Sequence, residues 1–304
     1  MRTIPDRRLR PSILGPILFG LLCQFSMQAL ADRSVTQLDF TMGPRGHLLT
    51  PVIVNGSVQG TFALDTGASS TVITPEFADQ IDTLERGESA HAVGAHSASS
   101  VELVRLDSIQ LGETAIGEGQ AVVMDLSHVN GPDMMLDGIV GNNHLDQFDV
   151  VIDLAEFEAT LLQHGSLSES ADAFATSVDI EDGRGKLIYL HVAINGQLIK
   201  AILDTGSGRS IINSAGARAL GVELPAREAL AGGDESGHSL LGTIDEVSVW
   251  LGETALKNDS PLEVRDLSVF SSVGAANEPI MLIGTNLLQG RRVGIDYAAR
   301  RLYL

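Results

Sequence analysis

Asp65-Thr66-Gly67 and Asp204-Thr205-Gly206 are the same tripeptide, each placed at the end of an apolar, hairpin-like stretch. A single copy would read as a turn, because Asp and Gly are ordinary turn residues. Two copies in matching contexts read differently. They predict a duplicated unit that brings two carboxylates face to face.

The register of the duplication holds along the chain, and a repeat of this kind has to be found before any fold is assigned. Leu48 to Val54, the turn Asn55-Gly56 and Thr61 to Leu64 lead into Asp65. Leu187 to Ile194, the turn Asn195-Gly196 and Lys200 to Leu203 lead into Asp204 in the same way. Asn-Gly between apolar, β-favouring runs is the strongest short-range hairpin signal. Beyond the tripeptides, Thr71-Val72-Ile73 matches Ser210-Ile211-Ile212, and Leu111 to Ile116 matches Leu251 to Leu256. Ile139-Val140-Gly141-Asn142 is echoed by Leu282-Ile283-Gly284-Thr285, and Val151-Ile152-Asp153 by Gly294-Ile295-Asp296.

Between the repeats, Gly165 to Ser177 has no sustained apolar period and reads as a linker. The expected organisation is therefore residues 1–31, a lobe at 32–164, a connection at 165–178 and a second lobe at 179–304. Short apolar runs punctuated by Gly, Asn, Asp and Ser predict an all-β fold with minor helix. The helical candidates are Pro75 to Ile81, with proline suited to a first turn, and Ala215 to Leu220, stopped by Gly221.

Residues 1–31 have the pattern of an export signal. Arg2, Arg7, Arg8 and Arg10 precede an apolar run from Ile13 to Cys23, and Ala29-Leu30-Ala31 has an A-x-A cleavage pattern. The run is too short to span a bilayer, so no stable membrane span is expected in the mature chain. Leu22 precedes Cys23 where a lipoprotein signal wants a small residue. The expected location is periplasmic or secreted. Cys23 is the single cysteine, so the mature chain would have no disulfide and its core must supply the stability. The net charge of −19 would become more negative on loss of four arginines and Asp6, which makes nucleic acid a poor partner.

The pattern of an apolar strand, Asp-Thr-Gly followed by Ala or Ser, and later two apolar residues and Gly resembles the retropepsin-like aspartic proteases. Both halves carry it: Phe62 to Ala68 with Ile139-Val140-Gly141, and Ile202 to Ser207 with Leu282-Ile283-Gly284. The resemblance covers nearly all of the mature sequence, in tandem form within one exported bacterial-type chain. It implies a pepsin-like bilobal architecture, two β-barrel or sandwich lobes about a pseudo-two-fold axis, with one site at their interface. It also implies a polypeptide substrate, and a monomer suffices because the duplication supplies both halves.

The chemistry that follows needs no cofactor and no metal. Two carboxyl groups within hydrogen-bond reach cannot both ionise cheaply, so they share a proton and divide into a base and an acid. Asp65 and Asp204 are the expected catalytic dyad. Gly67 and Gly206 leave room for the backbone to turn beside the carboxylates, and by resemblance Thr66 and Thr205 form a cross-lobe clasp. Ser207 replaces Ala68 in the second copy, so its hydroxyl is a candidate donor to Asp204. With one such donor rather than two, mildly acidic activity is expected.

Two small-residue-rich segments, His91 to Ser97 with Gly94 and Ala231 to His238 with Gly232 and Gly233, are candidate flaps over an extended peptide. Neither has the tyrosine that pepsin-like flaps use. No H-E-x-x-H or H-x-x-E-H spacing occurs, Gly237-His238-Ser239 lacks the second glycine of a serine elbow, and Gly206-Ser207-Gly208 lacks the third of a dinucleotide fingerprint. Two other readings remain open on sequence: a peptide-binding or protease-inhibiting protein on the same bilobal fold, and a structural β array whose repeats never face one another.

Overall fold

The computed structural model describes residues 34–82, 84–93, 98–131, 133–224, 240–257 and 259–304. The two Asn-Gly dipeptides make the turns expected of them. Asn55 and Gly56 have φ of 48° and 69°, and Asn195 and Gly196 have φ of 50° and 82°. Successive positive φ values are those of a type I′ turn, whose twist suits the flanking strands and which β-branched residues do not tolerate. Each turn closes an antiparallel hairpin, Leu48–Val54 with Val58–Leu64 and Tyr189–Ile194 with Gln197–Leu203.

Each hairpin is the seed of a lobe. In the first, Val58–Leu64 pairs in parallel with Gly138–Val140, which pairs on its other side with Thr71–Ile73. In the second, Gln197–Leu203 pairs in parallel with Ile280–Ile283, which pairs with Ile211–Ile212. Around these cores run a ten-stranded and an eight-stranded sheet whose strand orders correspond. The fold is mostly β, two curled sheets in a two-lobed aspartic-protease-like arrangement. Alternation drives the burial: along Leu48–Val54, Leu48, Thr50, Val52 and Val54 are buried, while Pro51 between them is exposed. Phe62 and Phe77 meet edge to face at 5.3 Å inside the first lobe, a favoured geometry for two rings.

Both helical candidates form. Pro75–Ala78 is capped by the Thr74 hydroxyl, which accepts from the Phe77 N–H. Ser214–Ala219 is capped by the Asn213 side chain, which accepts from the Gly216 N–H, and it ends before Gly221 at φ 80°. Side-chain oxygens at that position satisfy N–H groups the helix cannot.

A six-stranded sheet joins the lobes. Its order is Ser34–Asp39, Glu158–Leu162, Asp149–Asp153, Arg292–Asp296, Arg301–Tyr303, Ser177–Asp179. At its centre Asp149–Asp153 and Arg292–Asp296 run antiparallel with Val151 opposite Gly294. Those two residues occupy equivalent places in the repeat, so the duplication's symmetry axis passes between them. Gly165 to Ser177, the expected linker, is itself built against this sheet. It contains the helix Ser166–Glu169 and leads into a strand paired with Arg301–Tyr303. Leu167 is fully buried. The Leu167 N–H donates to the Asp149 carboxylate at 3.0 Å and the Ser168 hydroxyl to that of Asp296 at 2.6 Å. Both aspartates are fully buried, and a buried carboxylate requires such donors.

Candidate active site

The parallel strand pairs fix where the two acidic tripeptides begin. The Asp65 N–H donates to the Val140 carbonyl and the Asp204 N–H to the Ile283 carbonyl, each at 3.0 Å. Each aspartate thus leaves its strand under restraint, and the loop that follows must turn toward the other lobe.

The threonines lock the two loops together. The Thr66 hydroxyl donates to the Leu203 carbonyl at 3.0 Å and accepts from the Thr205 N–H at 3.1 Å. The Thr205 hydroxyl donates to the Leu64 carbonyl at 2.8 Å and accepts from the Thr66 N–H at 3.1 Å. Both threonines are buried, so water does not compete for these four bonds.

The glycines let the carboxyls approach. A Cβ on Gly206 would lie 2.2 Å from Cγ of Asp65, and one on Gly67 would lie 2.4 Å from Cγ of Asp204. Each carboxyl therefore packs on the glycine of the opposite tripeptide, which brings Asp65 and Asp204 together at the lobe boundary. The Gly67 N–H also donates to Oδ1 of Asp65 at 2.7 Å. The residues retain some accessible surface, while their carboxyls lie deep. Burial raises Asp65 above the ordinary carboxylate range against the pull of the Gly67, Ala68 and Gly206 N–H groups and of Asp204. Asp204 is raised well above it, first by burial and then by the neighbouring Asp65 charge. Two apposed carboxyls of this kind hold one proton between them.

Residues 50–144, which include the first acidic loop and its supporting strands, match the family model described as aspartyl protease. This segment is similar to the retropepsin-like aspartyl proteases. No curated protein matches the chain. The second lobe lies outside the matched span, and its eight strands follow the order of eight of the ten in the first.

One expectation is corrected. The Ser207 hydroxyl does not donate to Asp204. It donates to the Arg209 carbonyl at 2.8 Å and accepts from the Arg209 N–H at 3.3 Å, closing a local turn. Asp204 receives the Ser207 backbone N–H instead, as Asp65 receives that of Ala68. A serine hydroxyl two residues from a free carbonyl prefers the local partner. The Ala68/Ser207 difference therefore does not make the dyad asymmetric.

Gly94, Gly232 and Gly233, the candidate flap glycines, lie outside the described residues. The hairpin on which the first flap stands is described: Glu85–Val93 pairs with Ala98–Leu106, and its first strand approaches the Ser268–Ser272 helix of the second lobe.

Two further loops belong to the site and were not foreseen. The turn carrying Arg45 and Gly46 crosses to the second acidic loop. There the Thr285 hydroxyl donates to the Gly46 carbonyl at 3.0 Å, and a Cβ on Gly208 would fall 1.8 Å from the Arg45 carbonyl oxygen. Gly185 crosses the other way, and its Cβ would fall 2.6 Å from Oγ of Ser69. The signal was the matching pair Arg45-Gly46-His47-Leu48 and Arg184-Gly185-Lys186-Leu187, one step upstream of the recognised repeat. Asn142 and Tyr297 were also missed. Asn142 donates through Nδ2 to the Thr66 carbonyl at 2.7 Å and accepts at Oδ1 from the Tyr297 hydroxyl at 2.8 Å. Among the described residues no cluster of His, Cys, Asp and Glu could hold a metal ion.

Proposed function

We propose that the chain is an exported aspartic endopeptidase in which Asp65 and Asp204 activate water against a peptide bond. The observation that carries this reading is the reciprocal packing of each carboxyl on the glycine of the opposite tripeptide, held by the threonine clasp across the lobe boundary. The ionised member takes a proton from the bound water as its oxygen attacks the peptide carbonyl. The protonated member donates to the oxygen on which charge develops. The tetrahedral species then collapses, the amine leaves with a proton returned by the dyad, and no bond to the protein forms. The match of residues 50–144 to the aspartyl protease family supports a polypeptide substrate, and an extended peptide would lie between the lobes beside the strands Glu85–Val93 and Ala98–Leu106.

On the same reading residues 1–31 are removed on export, the lobes span 32–164 and 179–304, and one chain is a complete unit. No described helix is long and apolar enough to cross a membrane. Burial and carboxyl apposition both raise the pair, which favours a bell-shaped profile centred at mildly acidic pH. The test is digestion of an unfolded protein and a peptide library across pH by the purified chain and by its Asp65→Asn and Asp204→Asn variants. The reading expects cleavage by the parent chain, inhibition by a statine-type peptide, and loss of cleavage with retained peptide binding in both variants. Cleavage that survives both substitutions would overturn it.

A further inference from the structure

The duplication is broken at two places that touch one acidic loop and not the other. By the repeat, Asn142 corresponds to Thr285: each follows the glycine after the parallel strand, and each donates its backbone N–H to the residue after the tripeptide. Asn142 N–H reaches the Ala68 carbonyl at 2.9 Å and Thr285 N–H that of Ser207 at 2.8 Å. Tyr297, which follows Asp296, corresponds to Leu154, which follows Asp153.

Behind the first acidic loop the two departures join into a chain of hydrogen bonds. The Tyr297 hydroxyl donates to Oδ1 of Asn142, Nδ2 of Asn142 donates to the Thr66 carbonyl, and the N–H of that same Thr66–Gly67 peptide donates to Oδ1 of Asp65. The orientation of the Asn142 amide is fixed by its partners. A carbonyl only accepts, so the nitrogen must face Thr66, and the oxygen is left to accept from the phenol. The three bonds run in one direction and end on a carboxylate. Donation to a peptide carbonyl draws electron density from its N–H and makes that N–H a stronger donor. Asn142 is fully buried, so water does not dilute the effect. Among the described residues the second acidic loop has no counterpart: the Thr285 hydroxyl is committed to Gly46, and the Leu154 side chain has no polar group.

Resting on the endopeptidase reading above, we propose that Asn142, oriented by Tyr297, is a positioning residue that polarises the Thr66–Gly67 peptide toward Asp65. Asp65 is then the ionised member of the dyad and the base toward water, and Asp204 carries the proton. The charged group facing Asp65 is Asp204, and its other polar neighbours are the uncharged N–H groups of Gly67, Ala68 and Gly206. Asp204 faces Asp65 and the N–H groups of Gly206 and Ser207. Asp146, paired with Lys186, is the charge that acts on Tyr297. Burial first and Asp146 second push the phenol above its usual range, so it remains a donor throughout the working pH.

The test is a titration of carboxyl-¹³C-aspartate chain by NMR, with the two resonances assigned through Asp65→Asn and Asp204→Asn. It is run alongside kcat/KM against pH for the parent chain, Asn142→Ala and Tyr297→Phe. The expected result is that the lower apparent pKa of the pair is reported at Asp65. That value should rise by about 0.5 to 1 unit in Asn142→Ala and by less in Tyr297→Phe, with the acid limb of kcat/KM moving alongside. The proposal is overturned if Asp204 reports the lower value, or if the Asp65 titration stays put in the folded variants while activity falls equally at every pH. Should Asn142→Ala fail to fold, Tyr297→Phe decides by the same criterion. A parent chain that shows these titrations and cleaves nothing would sink the endopeptidase reading alone.

Discussion

Thr66 and Thr205 each donate a hydroxyl to a carbonyl of the opposite lobe, and each accepts the other's backbone N–H at 3.1 Å. The arrangement obeys the two-fold symmetry of the duplication, and every polar atom in it is buried. Thr66→Val keeps the shape but strands the Thr205 N–H and leaves the Leu203 carbonyl without its donor. Each stranded buried group costs about 1–3 kcal/mol. Urea denaturation should therefore show Thr66→Val less stable by roughly 2–5 kcal/mol, with Thr66→Ser close to the parent. Equal stabilities for Val and Ser would mean that the hydroxyl contributes through packing alone.

Gly206→Ala places a methyl group where the Asp65 carboxyl sits, at 2.2 Å from its Cγ. The carboxyl or the loop must move by about an ångström, and a displacement of that size at a reacting group costs about 10²-fold in rate. Gly206→Ala and Gly67→Ala are both expected to lose about that much kcat/KM on a peptide substrate. Loss from only one of them would show that the approach is not reciprocal.

Ser207→Ala is expected to leave the pH profile in place. Its hydroxyl is bonded to Arg209, and the group it offers Asp204 is a backbone N–H that alanine retains. A shift of either limb of kcat/KM by more than about half a unit would show that the hydroxyl reaches the dyad.

His144 makes the fold sensitive to acid. It is buried, its Nδ1 meets the Thr71 hydroxyl at 2.7 Å, and that hydroxyl accepts from the Gly141 N–H behind the first acidic loop. Burial lowers its pKa to about 4, with Asp146 opposing and Lys186 adding to the shift. The unfolded chain takes up the proton near pH 6.5 and the folded chain only near 4, so stability falls as pH drops through that window. His144→Leu, the residue the second lobe has as Leu287, removes the linkage. Between pH 7 and pH 5 the parent should lose roughly 1–2 kcal/mol more than the variant, read by urea denaturation at each pH. Parallel losses would place the proton elsewhere. The raised carboxyls of the dyad act in the opposite sense and are common to both proteins, so the difference isolates the histidine.

What the sequence disclosed was whatever the duplication repeats. Asn55-Gly56 and Asn195-Gly196 specify their turns through backbone conformations few residues accept, and the tripeptides specify a junction that only small residues permit. These are local constraints, so they survive as letters. The register of Val151 against Gly294 could also be read, since a two-fold axis must pass through equivalent residues. Asn142 and Tyr297 were invisible for the complementary reason. They are 155 positions apart, belong to different lobes, and matter because they depart from the repeat. Ser207 misled because a hydroxyl beside a carboxylate in sequence had a nearer carbonyl in space. The connecting segment at 165–178 was legible as a joint but not as a partner of Asp149 and Asp296, since its polar contacts follow no period.

The sheet in which Asp149–Asp153 lies against Arg292–Asp296 has a temporal meaning. Strands from the middle of the polypeptide find their neighbours only when the last few dozen residues have arrived, and the Leu304 carbonyl is still awaited by the N–H groups of Ala175 and Thr176. A chain emerging from a ribosome would hold its first acidic loop with nothing opposite. The pairing of the two acidic loops is therefore a late event, set by when Arg292–Asp296 reaches Asp149–Asp153.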